Sequence, residues 1–181
     1  MTAISANGWR TITSAESESL RLWQVGTVLL TLRSGPAGFV LAHFGQWWHE
    51  EIERLDQRDM PDDDHGWGQR FIGNTGIPSN HWSATAVDLN ALRHPQHMPT
   101  LETFTATQAR RIRTKLVDKY PGLVWGGDWS PENVDSMHIE FDLLSRFTRT
   151  DVRDLALALV PTPVGKRVIA AQPKPVTWEN W

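Results

Sequence analysis

The chain has 181 residues, a formal charge of −3, 40% hydrophobic and 22% charged residues, and no cysteine. This is enough apolar content for one folded domain of ordinary size, and it excludes a disordered chain, disulfides and thiolate metal sites. With no overall basic field and no apolar run long enough to cross a bilayer, neither nucleic-acid binding nor a membrane span is expected.

Residues 1–20 are polar, lack a charged start followed by an apolar run, and read as an irregular lead-in rather than a signal peptide. Synthesis in the cytoplasm is the expectation. Val25 to Leu32 reads as a short strand. Gly35-Pro36 then opens a helix, with proline where its missing N–H costs nothing. Phe39, Val40, His43, Phe44, Trp47, Trp48, Ile52 and Leu55 recur along it at helical spacing, with Glu50, Glu51, Glu53 and Arg54 on the other face.

Residues 56–80 are loop-like, with a short strand expected through Gln69 to Ile72. Thr105-Ala106-Thr107-Gln108 is a capping box, and the helix it starts ends at Pro121-Gly122. Leu123-Val124-Trp125 and Met137 to Leu143 read as strands, and Asp151 to Val160 as a helix capped by Thr150. The mixture has no regular βαβ alternation. An α+β fold is therefore expected, a small antiparallel sheet flanked by helices over residues 1–160, with residues 161–181 a proline-rich tail or linker.

The densest chemistry lies in Ser79 to Asn90, where His81 and Asp88 stand seven residues apart. An odd offset puts them on opposite faces of an ideal strand, so the chain must bend near Ser83-Ala84-Thr85 to bring both to one point. His138, from the strand at 137–143, completes a set of two histidines and one carboxylate. Three protein ligands with one position open suit a catalytic zinc. On spacing alone, a capped turn and a solvated ring are the commoner account of one His and one Asp in a loop. Other candidates fail sooner. His49-Glu50 lacks the second histidine of a zincin helix, since position 53 is Glu. Asp62-Asp63-Asp64-His65 reads as a solvated loop, the basic residues 110–119 as a solvated helix face, and the glycines at 73 and 76 match no phosphate loop.

Ser79-Asn80-His81, Ala86-Val87-Asp88-Leu89-Asn90 and Trp125-Gly126-Gly127-Asp128-Trp129 leading to Asp135-Ser136-Met137-His138-Ile139-Glu140-Phe141 together resemble the D-alanyl-D-alanine carboxypeptidase family of zinc peptidases. The likeness looks closest to the phage endolysins and bacterial wall enzymes that cut the peptide stem of peptidoglycan. It implies one zinc ion held by His81, Asp88 and His138 on the antiparallel sheet, Asp135 as acid/base and Arg70 facing the substrate. It further implies that Ser79, Trp82 and Trp129 contact substrate, and that Glu140 orients a ligand unless it forms a surface ion pair. An L-alanyl-D-glutamate type endopeptidase acting on the wall after lysin-like release is the first expectation, and a D,D-carboxypeptidase or D,D-endopeptidase the second. A wall-binding module without activity, with Trp47, Trp67, Trp82 and Trp129 as platforms, is the third, against which the presence of Asp135 argues. One departure stands out: Ala84 occupies a position where the family usually has glycine, and a positive φ there would strain it.

Overall fold

The computed structural model describes residues 3–15, 17–55, 63–142 and 148–176. Two strands, β1 (Leu20–Val25) and β2 (Val28–Arg33), form an antiparallel hairpin. The strand expected at 25–32 is β2, starting at Val28; Val25 ends a further strand before it, because Gly26, at φ 54, lets the chain reverse. Trp23, Val25, Val28, Leu30 and Leu32 face the core, and Leu22 and Leu29 face out. Helix α1 (Pro36–Glu51) crosses this core face. Residues Ala37 to Trp48 are all buried, Glu50 and Glu51 are exposed as expected, and the helix stops at Glu51, so Ile52, Glu53, Arg54 and Leu55 lie beyond its end.

What covers the rest of α1 is the C-terminal part of the chain. Helix α4 (Arg149–Leu159) and helix α5 (Pro163–Ala171) both pack on α1. Helix α4 is capped by Thr148, not Thr150, in a reciprocal box with Asp151. The tail expected from Pro161 contains α5, because Thr162 caps it and Pro163 sits in its first turn, where proline starts a helix rather than marking a linker. Gln172 then pairs with the Gln24 backbone, accepting its N–H at 3.0 Å and donating to its carbonyl at 3.1 Å.

One buried polar side chain joins these layers. His43 of α1 meets the Tyr120 hydroxyl through Nδ1 at 2.6 Å and the Thr162 hydroxyl through Nε2 at 2.8 Å. Thr162 gives its one hydroxyl proton to the Leu159 carbonyl at 2.6 Å, so the imidazole must donate from Nε2 and accept from Tyr120 at Nδ1.

The second sheet has three strands in the order β3 (Ala86–Asp88), β5 (His138–Phe141) and β4 (Leu123–Trp125), with both outer strands antiparallel to β5. Between β3 and β4 run the short α2 (Thr100–Thr103) and α3 (Ala106–Lys119), the latter opened by the Thr105–Gln108 capping box. The strand expected at 69–72 is reduced to one bridge, Phe71 with Pro78. Of the strand expected at 137–143, Leu143 lies outside the described residues. The fold is α+β, and among the described residues no helix is long and apolar enough to cross a membrane.

Candidate metal centre

The register of the second sheet places Asp88 directly across from His138. Cross-strand partners lie within side-chain reach, so two members of the cluster follow from strand pairing alone. His81 arrives by a tight turn. The Trp82 N–H reaches the Ser79 carbonyl, the Ala84 N–H reaches the His81 carbonyl, and Ala84 takes φ 56. The bend that the His81–Asp88 offset requires therefore falls at Ala84, in the left-handed region that the glycine of the resembled family suits.

Three atoms converge. His138 Nδ1 is 2.8 Å from Asp88 Oδ1, His81 Nε2 is 3.2 Å from that same oxygen, and the two nitrogens are 3.1 Å apart. The far side of each ring fixes its proton. His81 Nδ1 lies 2.5 Å from the Gly66 carbonyl, which only accepts, so Nδ1 donates and Nε2 presents a lone pair to the cluster. His138 Nε2 donates to Glu140 Oε2 at 2.8 Å, leaving Nδ1 facing inward. Gly66 can supply its carbonyl because a Cβ there would sit 2.2 Å from the Thr31 carbonyl, a space only glycine leaves free.

Three buried electron-pair donors around one point need a positive charge among them. Without a metal, a proton takes that place. Burial works against a charged His138, yet hydrogen bonds to Asp88 and Glu140 overcome it and push the ring up to about 10. Burial would likewise raise Asp88, but His81 and His138 hold its carboxyl well below the usual range. His81 is pushed down by its own burial, more than Asp88 lifts it. His81, Asp88 and His138 offer ligand atoms all within 4.8 Å of one another and could hold a metal ion. Nitrogen and oxygen ligands at ~2 Å from a tetrahedral zinc lie roughly 3.3 Å apart, close to the separations here, so the donor set fits zinc.

A cleft of about 300 Å³ opens over the cluster, and Arg70, Ser79, Trp129, Asp135 and Glu140 all line it. Asp135 is held on the Gly126 backbone, its N–H on the Gly126 carbonyl at 3.0 Å, where a Cβ on residue 126 would lie 2.3 Å from the Asp135 carbonyl. Asp135 Oδ1 is buried with no hydrogen-bond partner among the described residues. Burial, opposed by His138 and aided by Asp88, raises its carboxyl to about 6. Arg70 donates to Asp88 Oδ2 at 2.7 Å while its side chain stays half exposed. Ser79 Oγ accepts the His81 N–H at 3.3 Å, and the Trp129 ring lies 5.3 Å from that of His138.

Trp82 is placed differently from the other residues singled out. It does not line the cleft; its ring meets the edge of Phe71 at 5.2 Å. Trp67 donates from its indole N–H to the Ile12 carbonyl, and Trp47 is buried on α1. Asn80, Phe71, Ile72 and Gln96 also line the cleft and Gly66 supports His81, and none of them is among the residues the sequence singles out. Asn80 was visible within the Ser-x-His motif, where its amide donates to Glu140 at 2.6 Å. Glycine at 66 and the apolar pair at 71–72 carried no comparable signal.

No curated protein and no solved structure matches the chain. Residues 73–141 match the family model described as D-alanyl-D-alanine carboxypeptidase, a stretch that holds His81, Asp88, Asp135 and His138 and begins just after Arg70, and over that stretch the chain is similar to that family.

Proposed function

We propose that this protein is a zinc-dependent peptidase acting on the peptide stem of bacterial peptidoglycan, an endopeptidase of the L-alanyl-D-glutamate type. The observation that carries the reading is the convergence of His81, Asp88 and His138 beside a buried carboxyl, Asp135, that lacks a partner among the described residues. The family match over residues 73–141 supports the same chemistry.

His81 through Nε2, His138 through Nδ1 and Asp88 would hold the ion. When bound, zinc supplies Lewis acidity and brings the pKa of a water to about 7. The chain does the rest. Asp135, raised toward neutrality by burial, accepts the proton of the attacking water and returns it to the leaving amine. Arg70 spends one N–H on Asp88 and turns the rest of its guanidinium to the cleft, where it binds a substrate carboxylate or the charge that develops on the carbonyl oxygen. Trp129 offers an apolar wall with a polar N–H. Glu140 keeps His138 in the tautomer that aims Nδ1 inward.

A D,D-carboxypeptidase is the second reading, favoured by the description of the matched family. Metal content of the purified protein, measured beside digestion of defined peptidoglycan with products identified by mass, tests both. One zinc per chain with new alanine and glutamate ends supports the endopeptidase. Release of terminal D-alanine supports the carboxypeptidase. Bound zinc without cleavage of any wall type points to a binding module, and failure to take up zinc overturns the metal centre.

A further inference from the structure

The N-terminal segment, with no residue among the candidate ligands, reaches the metal centre through hydrogen bonds. Ser5, Asn7 and Thr11 are buried, unusual for polar residues of a lead-in. The Asn7 side chain donates to the Phe141 carbonyl at 3.0 Å and to the Thr85 hydroxyl at 2.9 Å, so it clamps the segment across the far end of β5 and the approach to β3. Because the Phe141 carbonyl only accepts, the Asn7 amide has one allowed orientation, and its oxygen meets the Ser5 hydroxyl at 2.8 Å.

This clamp sets a second amide. The Asn7 backbone N–H donates to Asn80 Oδ1 at 2.9 Å, which turns Asn80 Nδ2 toward Glu140 Oε2 at 2.6 Å. That same Glu140 oxygen accepts from His138 Nε2. Turned the other way, Asn80 would face its carbonyl oxygen against the carboxylate, and two acceptors at that distance repel. Glu140 would be pushed from His138, and only the Asp88 contact would remain to select which ring nitrogen points into the cluster. Ala6, next along the segment, donates to the Pro78 carbonyl at 3.0 Å and lines the cleft itself.

We propose that Asn7 is a positioning residue for the metal centre, acting through Asn80 and Glu140 on His138. The proposal rests on the zinc reading above, and zinc affinity of the full chain, measured by competition with a chromophoric chelator, separates the two. Asn7→Ala and Asn80→Ala are each expected to weaken zinc by about 10- to 100-fold, the range for partners that orient a ligand. If Asn7 acts through Asn80, the double variant binds zinc no more weakly than Asn80→Ala alone. Ile12→Ala, a buried change in the same segment that leaves the Asn7–Asn80–Glu140 bonds and its own backbone bond to the Trp82 carbonyl in place, should lower the melting temperature and leave zinc affinity unchanged. Should Asn7→Ala fail to fold, the milder Asn7→Ser enters the same cycle. Additive losses in the double variant, or equal zinc loss in Ile12→Ala, would overturn the role of Asn7 while leaving the metal centre standing. A wild-type chain that takes up no zinc overturns both.

Discussion

The two sheets of this protein bury different chemistry. The β1–β2 hairpin turns Trp23, Val25, Val28, Leu30 and Leu32 against α1, and its stability comes from apolar surface removed from water. The β3–β5–β4 sheet and its loops bury Asn80, His81, Thr85, Asp88 and His138, groups that cost energy when buried unless each donor and acceptor finds a partner. The first region tolerates any side chain of the right size and shape. The second depends on which atom faces which. Truncations in the hairpin and α1 should therefore lower stability and spare chemistry, whereas changes on the polar face of the second sheet, opposite core residues such as Val87 and Ile139, should impair chemistry.

The sharpest way to break this contrast is at Asp135, whose buried oxygen has no partner among the described residues. Asp135→Ala should reduce hydrolysis by about 10²–10⁴-fold, the range for a general acid/base, with one zinc still bound and the melting temperature close to wild type. Near-normal turnover on peptidoglycan would remove Asp135 from the mechanism. The mirror experiment is Phe39→Ala. Phe39 is fully buried on α1 against Trp23, with ring centroids 6.1 Å apart. Its loss should cost about 3–5 kcal/mol in urea unfolding and leave zinc affinity and turnover per folded molecule unchanged. A loss of zinc in this variant would mean that the two regions are not separable.

The same contrast explains what could be read from the sequence. Helix α1 and helix α3 announce themselves by apolar spacing, Pro36 and the Thr105–Gln108 box, all local signals. Strand β5 was visible as alternation from His138 to Phe141, and its pairing with β3 brings His138 to Asp88. Only the second strand of the hairpin carries a clear signal, since the polar residues Arg21 and Gln24 hide the period of β1. Helix α5 carries a misleading one, because proline in its first turn looks like proline in a linker unless Thr162 caps it. The supports of the centre were the least legible. The Gly66 carbonyl and the Asn7 N–H are backbone groups, and they act on residues 15 and 73 positions away. No local pattern marks a bond of that length.

His43 is a buried polar side chain within the apolar region, as is Gln46, and pH probes it. Burial, aided by Lys115, lowers its pKa to about 4, against 6.5 for an ordinary histidine. The unfolded chain therefore takes up this proton first as pH falls. The stabilising contribution is complete above pH 6.5 and is lost progressively toward pH 4, up to about 3 kcal/mol in all. Urea unfolding at pH 7 and at pH 4.5 should show this loss in the wild type, and His43→Gln, which keeps a donor for Thr162, should show less of it. An identical pH dependence in the two proteins would place the acid sensitivity elsewhere.

The smallest expected effect lies in the backbone of the polar region. Ala84 stands at φ 56, where an L-residue with a Cβ costs roughly 1–2 kcal/mol relative to the right-handed region. Glycine relieves that strain but loses about 0.5–1 kcal/mol through the freedom of the unfolded chain. The backbone bonds at this position survive the change, since the Ala84 N–H holds the His81 carbonyl at 2.9 Å and its own carbonyl receives the Arg33 N–H at 3.1 Å. Ala84→Gly should thus raise stability by about 0.5–1 kcal/mol in urea unfolding, with zinc affinity unchanged. A lower stability would mean that the buried methyl contributes more by packing than its strain costs, and alanine would then be the residue this turn prefers.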